Sequence, residues 1–365
     1  MGTNTDDPIS SGGIEFYNEA LVEELAKKLD VTVVTRQFTG AAHSEKRSIS
    51  GRSKTEGFGR SEKRSGVTIR RVPWRPGFWT RTPSFILNSY KLAKQLDYDV
   101  ILAHGPIATF FSLFLGKPTV AIPHGLASGQ PRYPKPLRIL GRIFERFIYE
   151  KSLRVVALST NDVDRLRELS PKIRQVLIPT GINLKKFSGG KKNNKKVTIL
   201  STSRLIKVKG LNYLLSAASQ LKGNFEILLA GSGPDEESLK NQHAATLLKS
   251  KVKFLGFRKD IPALLASADI FVLPSVSEGL PLGLLEAMAC KCACVVTDIG
   301  LPVEHGETGL IVPSKDVGEL AIALQSLIDS KKQRQRLAKN GRSFVSQFTW
   351  ANCAGMFVEL FERIK

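Results

Sequence analysis

Acidic residues are scarce in this sequence: 33 Asp and Glu stand against 54 Lys and Arg, which leaves a formal charge of +21 and a pI near 9.9. An excess of that size is not self-neutralising and requires an anionic counterpart, whether nucleic acid, an anionic membrane surface or an anionic substrate. Long apolar runs are missing too. No stretch of about 20 consecutive apolar residues occurs, so no membrane-spanning helix is expected. The leading residues Met1-Gly2-Thr3-Asn4-Thr5-Asp6-Asp7 are polar and acidic, unlike a secretory signal. Cysteine is limited to Cys290, Cys292, Cys294 and Cys353. Three of these alternate as neighbours on one strand face would, whereas a disulfide framework needs partners spread along the chain. They read as reduced core thiols of a cytoplasmic protein, and their spacing does not suit a metal site.

What is present is enough for two cores: 365 residues, 42% of them hydrophobic. Ile14, Tyr17, Leu21, Leu25 and Leu29 recur at helical spacing, with Ser10 and Ser11 placed to cap the start. Val31–Thr35 is a β-branched strand, residues 36–66 lose all periodicity and read as a loop, and Val67–Val72 resumes as a strand. Further strands are expected at 99–103, 118–122, 155–158 and 176–178, with a helix over 136–151 that begins on Pro136. The run Ser188-Gly-Gly-Lys-Lys-Asn-Asn-Lys-Lys196 has no apolar residue and reads as a linker. Beyond it, strands at 197–201, 226–230, 251–255, 270–273, 293–297 and 309–312 alternate with helices. The expected organisation is a first α/β domain over 1–187, the linker over 188–196, a second α/β domain over 197–345, and a C-terminal helix over 346–365 packing back on the first domain. Alternation of strands and helices predicts parallel sheets covered on both faces.

Four stretches carry chemistry suited to a phosphate-bearing ligand. Gly12-Gly13 opens the first helix, where free N–H groups favour an anion; a glycine pair before a helix is as often a plain turn. Arg204 and Lys209 follow a strand end, where open α/β sheets bind ligands, and suit a diphosphate; the plain alternative is two solvated cations. Gly231-Ser-Gly233 is a tight phosphate-type turn found in many nucleotide-binding domains. The most specific stretch is Pro274–Ala289, in which Glu278 and Glu286 flank a Gly/Pro-rich turn leading into a helix. Carboxylates accept hydrogen bonds from vicinal hydroxyls, and the N–H groups near Leu282 and Gly283 suit phosphate or sugar oxygens. A mere preference of acids for a helix N-terminus does not explain the conjunction with Arg204 and Lys209.

With those pieces in place, the chain resembles the glycosyltransferases known as group 1 or family 4, of the GT-B architecture. The matching segments are Gly12-Gly13-Ile14-Glu15, His124-Gly125, Ile178–Asn183, Ser203-Arg204 with Lys209-Gly210, Gly231–Pro234, Phe254-Leu-Gly256, the Glu278/Glu286 pair and Gly306–Leu310, in order over about residues 8–315. The resemblance implies two doubly wound Rossmann-like domains facing across a cleft, and retaining transfer from a nucleoside diphosphate sugar to an acceptor hydroxyl. It assigns Arg204 and Lys209 to the leaving diphosphate, Glu286 to the donor ribose, Glu278 to the transferred sugar, and Gly12 and Gly13 to the diphosphate and acceptor. His124 would reach the transferred sugar, and Arg258 would follow main chain that lines the base pocket. It implies no metal and no cofactor, the nucleotide-sugar being a co-substrate. The family pattern opens with a strand before the glycine pair that Met1–Asp7 does not supply, so the first strand is expected to be missing. Thr180, Asn183, Lys291 and Leu301 also depart from the pattern without removing a named donor ligand.

The excess charge has a pattern of its own. Arg36, Lys46, Arg47, Arg52, Lys54, Arg60, Lys63, Arg64, Arg70, Arg71 and Arg75 crowd one segment, followed by Trp74, Phe78 and Trp79. Arg138, Arg142 and Arg146 fall at i, i+4 and i+8 on the 136–151 helix, beside a stripe of Leu140, Ile143, Phe144 and Phe147. A basic amphipathic helix suits an anionic membrane, which would put a lipid or lipid-linked acceptor at the cytoplasmic face and the protein peripherally on the inner membrane. The plain alternative is a surface helix whose apolar stripe packs on the sheet. Two other function classes compete: a nucleotide-sugar epimerase of the same architecture, which would need further acid/base residues, and a nucleic-acid binder, for which no motif is present and which is not expected.

Overall fold

The computed structural model describes residues 13–36, 61–73, 81–126, 128, 134–190, 192, 195–244, 251–278 and 282–364. The chain divides into two compact units, residues 1–179 with 350–365 and residues 180–349. The boundary therefore falls after Pro179, not at 188–196. The physical reason lies in Gly189 and Gly190. Gly189 adopts φ +81, and the position a Cβ would take at each glycine lies 3.1 Å from Cys290 O and 3.2 Å from Ala266 Cβ. Lacking side chains, these residues let a polar segment lie against the second unit.

The first unit runs α1 (Gly13–Leu25), β1 (Thr32–Arg36), β2 (Ser61–Arg64), β3 (Val67–Val72), α2 (Arg81–Ala93), β4 (Ile101–His104), α3 (Pro106–Ser112), β5 (Thr119–Ile122), α4 (Lys135–Lys151), β6 (Arg154–Ala157), α5 (Thr160–Leu169) and β7 (Gln175–Leu177). It carries two sheets, ordered β1-β3-β2 and β4-β5-β6-β7, the second parallel throughout. β1 and β4 are edge strands among the described residues. Residues 1–12, with Gly12 and the expected missing strand, lie outside those described, as does most of the basic segment and the Trp74/Phe78/Trp79 group.

One expectation needs correction. Residues 61–64 are not loop: they form β2, antiparallel to β3 through a two-residue turn at Ser65 (φ 50) and Gly66 (φ 81). Positive φ at both turn positions matches the twist of a hairpin. β2 has no apolar residue to reveal it, and is instead tied by Glu62 to Arg71 at 2.7 Å and by Arg64 to Glu19 at 3.5 Å.

The second unit runs β8 (Val197–Thr202), α6 (Leu211–Ala218), β9 (Phe225–Ala230), α7 (Glu236–Ala244), β10 (Val252–Gly256), α8 (Ile261–Ser267), β11 (Ile270–Leu273), α9 (Leu282–Ala289), β12 (Ala293–Thr297), β13 (Leu310–Val312), α10 (Val317–Asp329) and α11 (Lys331–Val345). α12 (Trp350–Glu362) belongs to the first unit, where Trp350 meets Phe16 and Tyr17 of α1 at ring separations of 6.3 and 5.4 Å. The second sheet is all parallel, in the order β10-β9-β8-β11-β12-β13. Successive strand residues point to opposite faces. Ile199, Ile270, Val272 and Val295 join Leu214, Leu215, Leu324 and Leu327 on one side. Leu200, Phe271, Leu273, Cys294 and Val296 join Leu284, Leu285 and Met288 on the other. Cys290 and Cys292 pack in this second layer, and all four cysteines are buried and outside any disulfide. Burial raises the Cys292 thiol to about 12, so it is an inert core group.

Strand order reverses between β8 and β11. In open α/β sheets this reversal opens a crevice at the carboxyl ends of the strands, because the connections leave in opposite directions. Three glycines draw the loops there together. A Cβ on Gly210 would stand 1.9 Å from Pro274 O, one on Gly231 1.8 Å from Ser203 O, and one on Gly233 2.3 Å from Leu205 O. The loops are also stitched by Ser203 N–H to Ala230 O (3.1 Å), Leu205 N–H to Ser232 O (2.9 Å) and Val276 N–H to Val208 O (2.8 Å). Gly256 has a similar φ of +65 but open space around it. Gly210→Ala is therefore expected to destabilise the protein by on the order of 4 kcal/mol, as a backbone clash added to strain, and Gly256→Ala by about 1 kcal/mol, as strain alone. Thermal unfolding of the two variants checks this; similar losses would contradict the close-approach account.

Candidate active site

The residues that line the reversal point come from the loops after β8 and β11 and from the start of α9. Lys209 precedes the α6 cap Gly210, and its Nζ donates to both carboxylate oxygens of Glu278 at 2.7 Å. Glu278 also accepts from Ser275 Oγ at 2.5 Å, and Thr297 Oγ1 in turn donates to Ser275 O. The pair is largely shielded, with side-chain exposures of 19% for Lys209 and 7% for Glu278. Arg204 is on the same loop as Lys209, but its side chain is exposed and pairs with none of the described residues. The structure thus joins two of the sequence-derived residues directly and leaves a third charged and free nearby in sequence.

On α9, Gly283 lies against the end of β8: a Cβ there would meet Thr202 Oγ1 at 3.2 Å. Leu282 is buried at the first position of the helix. Glu286 follows one turn later. Burial raises its carboxyl to about 7, and Lys186 opposes the rise only partly. Ser201 Oγ and Ser203 Oγ, at the end of β8 and just beyond it, are buried with no hydrogen-bond partner. Arg258, by contrast, is turned onto its own loop: its guanidinium makes a fork onto Asp260 at 2.8 and 2.5 Å, which holds the Asp260 carboxyl low.

In the first unit, Gly13 is the first residue of α1. His124 lies just past β5 with φ 54, a left-handed conformation that a non-glycine residue adopts only under constraint. Its Nε2 is 2.9 Å from His104 Nδ1. Sequence reasoning missed His104, Ser275 and Thr202. His104 was detectable as the polar last residue of a buried strand before a glycine; Ser275 and Thr202 carried no local signal.

α4 does not pack its apolar stripe on the sheet. Glu145, Ile148 and Tyr149 are buried there, while Ile139 (61%), Leu140 (63%), Ile143 (61%) and Phe147 (48%) are exposed. At 3.6 residues per turn, these and Leu137 span roughly 160° of the helix. Only Phe144 of the expected stripe turns inward, against Phe110 at 5.4 Å. Arg142 and Arg146 flank one edge of the apolar arc; Arg142 donates to Glu168 O at 2.8 Å and Arg146 to Glu150 at 2.9 Å, and Arg138 is half-buried.

Among the described residues, no group of three or more His, Cys, Asp or Glu is placed to hold a metal ion, and no helix is long and apolar enough to cross a membrane. Breaking the shielded Lys209–Glu278 pair from one side leaves a charge without its partner. Lys209→Ala is expected to destabilise by about 2–3 kcal/mol, and adding Glu278→Gln should recover most of that loss. A urea-unfolding double-mutant cycle measures the coupling; additive losses would mean that the pair contributes nothing.

Comparison with known proteins gives a consistent picture. Residues 11–186 match the family described as Glycosyltransferase Family 4, and residues 183–344 match Glycosyl transferases group 1. The N,N'-diacetylbacillosaminyl-diphospho-undecaprenol alpha-1,3-N-acetylgalactosaminyltransferase of Campylobacter jejuni is 30% identical over 315 residues, covering 77% of this chain and 82% of that protein. The UDP-Gal:alpha-D-GlcNAc-diphosphoundecaprenol alpha-1,3-galactosyltransferase of Escherichia coli is 28% identical, covering 67% of this chain and 70% of that protein. Among solved structures, sucrose-phosphate synthase from Thermosynechococcus elongatus superposes with a TM-score of 0.80 at 24% identity, covering 97% of this chain and 94% of that one. Anabaena HepE in complex with UDP-glucose gives 0.72 at 20% identity, covering 82% and 87%. At these identities the superpositions establish a shared fold of two Rossmann-like α/β units.

Proposed function

We propose, for a chain that belongs to the group 1 glycosyltransferases, that the sugar passes from a nucleoside diphosphate donor to a lipid-linked acceptor with retention at the anomeric carbon, and without a metal ion. The observation that carries the donor side is the meeting of Lys209 and Glu278 at the strand-order reversal, with Arg204 on the same loop and unpaired among the described residues. A leaving diphosphate accumulates negative charge as the glycosidic bond breaks, and fixed cations stabilise that charge. Lys209 and Arg204 fill the role that a divalent ion has in other transferases. Glu278 receives hydroxyls of the transferred sugar, Glu286 receives the ribose, and N–H groups at Leu282 and Gly283 meet phosphate oxygens. His124 faces the transferred sugar, and Gly12 and Gly13 the diphosphate and acceptor. Arg258, already forked onto Asp260, marks the base pocket through its main chain and not its guanidinium. Relatives that are transferases favour this reading over an epimerase.

The acceptor side rests on α4. An apolar arc flanked by Arg142 and Arg146 is the pattern of a helix lying in a bilayer interface, with cations at the headgroups. The two relatives named above are both described as acting on diphospho-undecaprenol substrates, which supports a diphospholipid acceptor at a membrane surface and a peripheral location on its cytoplasmic side. The test is transfer from UDP- and GDP-sugars to a diphosphopolyprenol-linked sugar in anionic vesicles, with EDTA present. Transfer is expected, with a loss of about 100-fold or more in Arg204→Ala, and with weaker vesicle co-sedimentation after Arg138, Arg142 and Arg146 are all changed to Ser. A strict Mg²⁺ requirement, or equal sedimentation with neutral vesicles, would refute the corresponding half of the proposal.

Glu286 adds a pH dependence. Its carboxyl is neutral below about 7 and charged above, and the carboxylate accepts hydrogen bonds from both ribose hydroxyls where the acid accepts fewer. Affinity for the bare nucleoside diphosphate should therefore rise with pH through about 7, by up to roughly tenfold per unit below that point. Calorimetric titrations between pH 6 and 8 report this, and Glu286→Gln should flatten the profile. An unchanged slope in that variant would remove Glu286 from the nucleotide site.

A further inference from the structure

His104 ends β4 and His124 lies two residues past the end of the neighbouring parallel strand β5, in register at His104 and Ile122. Their rings stack at 5.2 Å with 19° between planes, and His104 Nδ1 is 2.9 Å from His124 Nε2. Such a bond needs one N–H and one lone pair, so a single proton lies between the two nitrogens. Burial keeps both rings neutral: it lowers His124 to about 4 and holds His104 well below the usual histidine range, where the nearby His124 charge would lower it further.

Two tautomeric arrangements satisfy the bond. In one, His124 donates from Nε2–H into His104 Nδ1, and both rings carry their proton on Nε2, the form that neutral imidazole side chains prefer in water. In the other, both rings adopt the less favoured Nδ1–H form. The first arrangement leaves His124 Nδ1 as a lone-pair acceptor. That nitrogen is buried and has no hydrogen-bond partner. A buried acceptor with no partner is costly and calls for a donor from a ligand.

The ring has little freedom to escape that state. His124 is held at φ 54 and followed by Gly125 at φ 90. Tyr17 of α1, fully buried, sets its ring edge-on to His124 at 5.3 Å and to His104 at 6.4 Å. Three elements of the first unit therefore fix one imidazole.

We infer that His104 is a positioning residue for glycosyl transfer: it takes the Nε2 proton of His124 in a hydrogen bond and so keeps His124 Nδ1 bare, as the acceptor for a hydroxyl of the transferred sugar. The inference rests on the assignment of His124 to that sugar. It gives His104 no contact with substrate and moves no proton during the reaction.

The test uses the full chain with ¹⁵N-labelled histidine, and His104→Leu, His104→Asn and His124→Ala variants. Imidazole ¹⁵N shifts of the unmodified protein should show His124 protonated on Nε2 alone. His104→Leu should lower kcat by about 10- to 100-fold, by analogy with the loss on removing the partner that orients a metal-bound histidine, with affinity for bare UDP or GDP unchanged. Its His124 signals should show a mixture of tautomers. His104→Asn, whose side-chain carbonyl supplies an acceptor close to the lost Nδ1, should recover most of the rate. Nδ1-protonated His124 in the unmodified protein overturns the inference whether or not the variants fold. Wild-type kcat in His104→Leu does so as well, as does an Asn variant no faster than Leu at the same melting temperature. If His124→Ala itself transfers at the normal rate, the assignment of His124 to the sugar fails; if it is slow while His104→Leu is not, only the positioning role fails.

Discussion

The reversal of strand order between β8 and β11 is the constraint on which the second unit's chemistry depends. Ile199 and Leu200 of β8 pair with Ile270 and Phe271 of β11, so the loops that follow these strands emerge side by side. Their proximity is useful only if the two backbones come into contact. Gly210 against Pro274 O and Gly231 against Ser203 O permit that contact, and any side chain at either position would forbid it. Lys209 and Glu278, 69 residues apart in sequence, become partners as a consequence. The charges in this site are therefore a product of sheet topology and missing side chains more than of any local sequence preference.

Much of this was legible from the sequence for a simple reason. Strands such as 270–273 and 293–297 are buried on both faces, so they read as continuous apolar runs between polar loops. The residues that flank them inherit a known position, the carboxyl end of a strand, and Arg204, Lys209 and Glu278 could be placed there without coordinates. What was not legible depended on partners distant in sequence. β2 consists of Ser61-Glu-Lys-Arg64 and forms because β3 offers an edge and Glu62 meets Arg71. The bond from Ser275 to Glu278, the approach of Gly283 to Thr202, and the pairing of His104 with His124 each join groups that no pattern connects. The polar run 188–196 misled for a related reason. Its composition is that of a linker, but Gly189 and Gly190 lie against Cys290 and Ala266, where bulkier residues would not fit.

α4 shows the limit of amphipathic reasoning from sequence. Periodicity established a helix with an apolar stripe and a basic stripe, but periodicity does not say which stripe faces inward. The inward face is formed by Ile148 and Tyr149, with Glu145 buried beside them and accepting from Ser128 N–H at 3.2 Å. Leu137, Ile139, Leu140, Ile143 and Phe147 are left on the outside. Exposed contiguous apolar area of this kind opposes solubility unless something covers it, and the proposed membrane contact would provide that cover. Phe114, also exposed, lies 5.1 Å from Phe110.

The internal pairing of Lys209 and Glu278 has a consequence for what the site accepts. Each charge is neutralised in the empty protein and shielded from water. A ligand that takes only Lys209, such as inorganic phosphate, leaves Glu278 without its cation, and an uncompensated buried charge costs about 3–5 kcal/mol. A ligand that takes only Glu278, such as a free sugar, leaves Lys209 in the same position. A sugar linked to a diphosphate offers an anion for Lys209 and hydroxyl donors for Glu278 at once, so neither charge is abandoned. If the pair meets the donor as proposed, it rejects each half of the donor more strongly than it resists the whole. Arg204, unpaired among the described residues, would on the same assignment attract the diphosphate without adding to that penalty. On the proposed assignment of these residues, selectivity for an intact nucleotide-sugar follows from the two charges being partners before the ligand arrives.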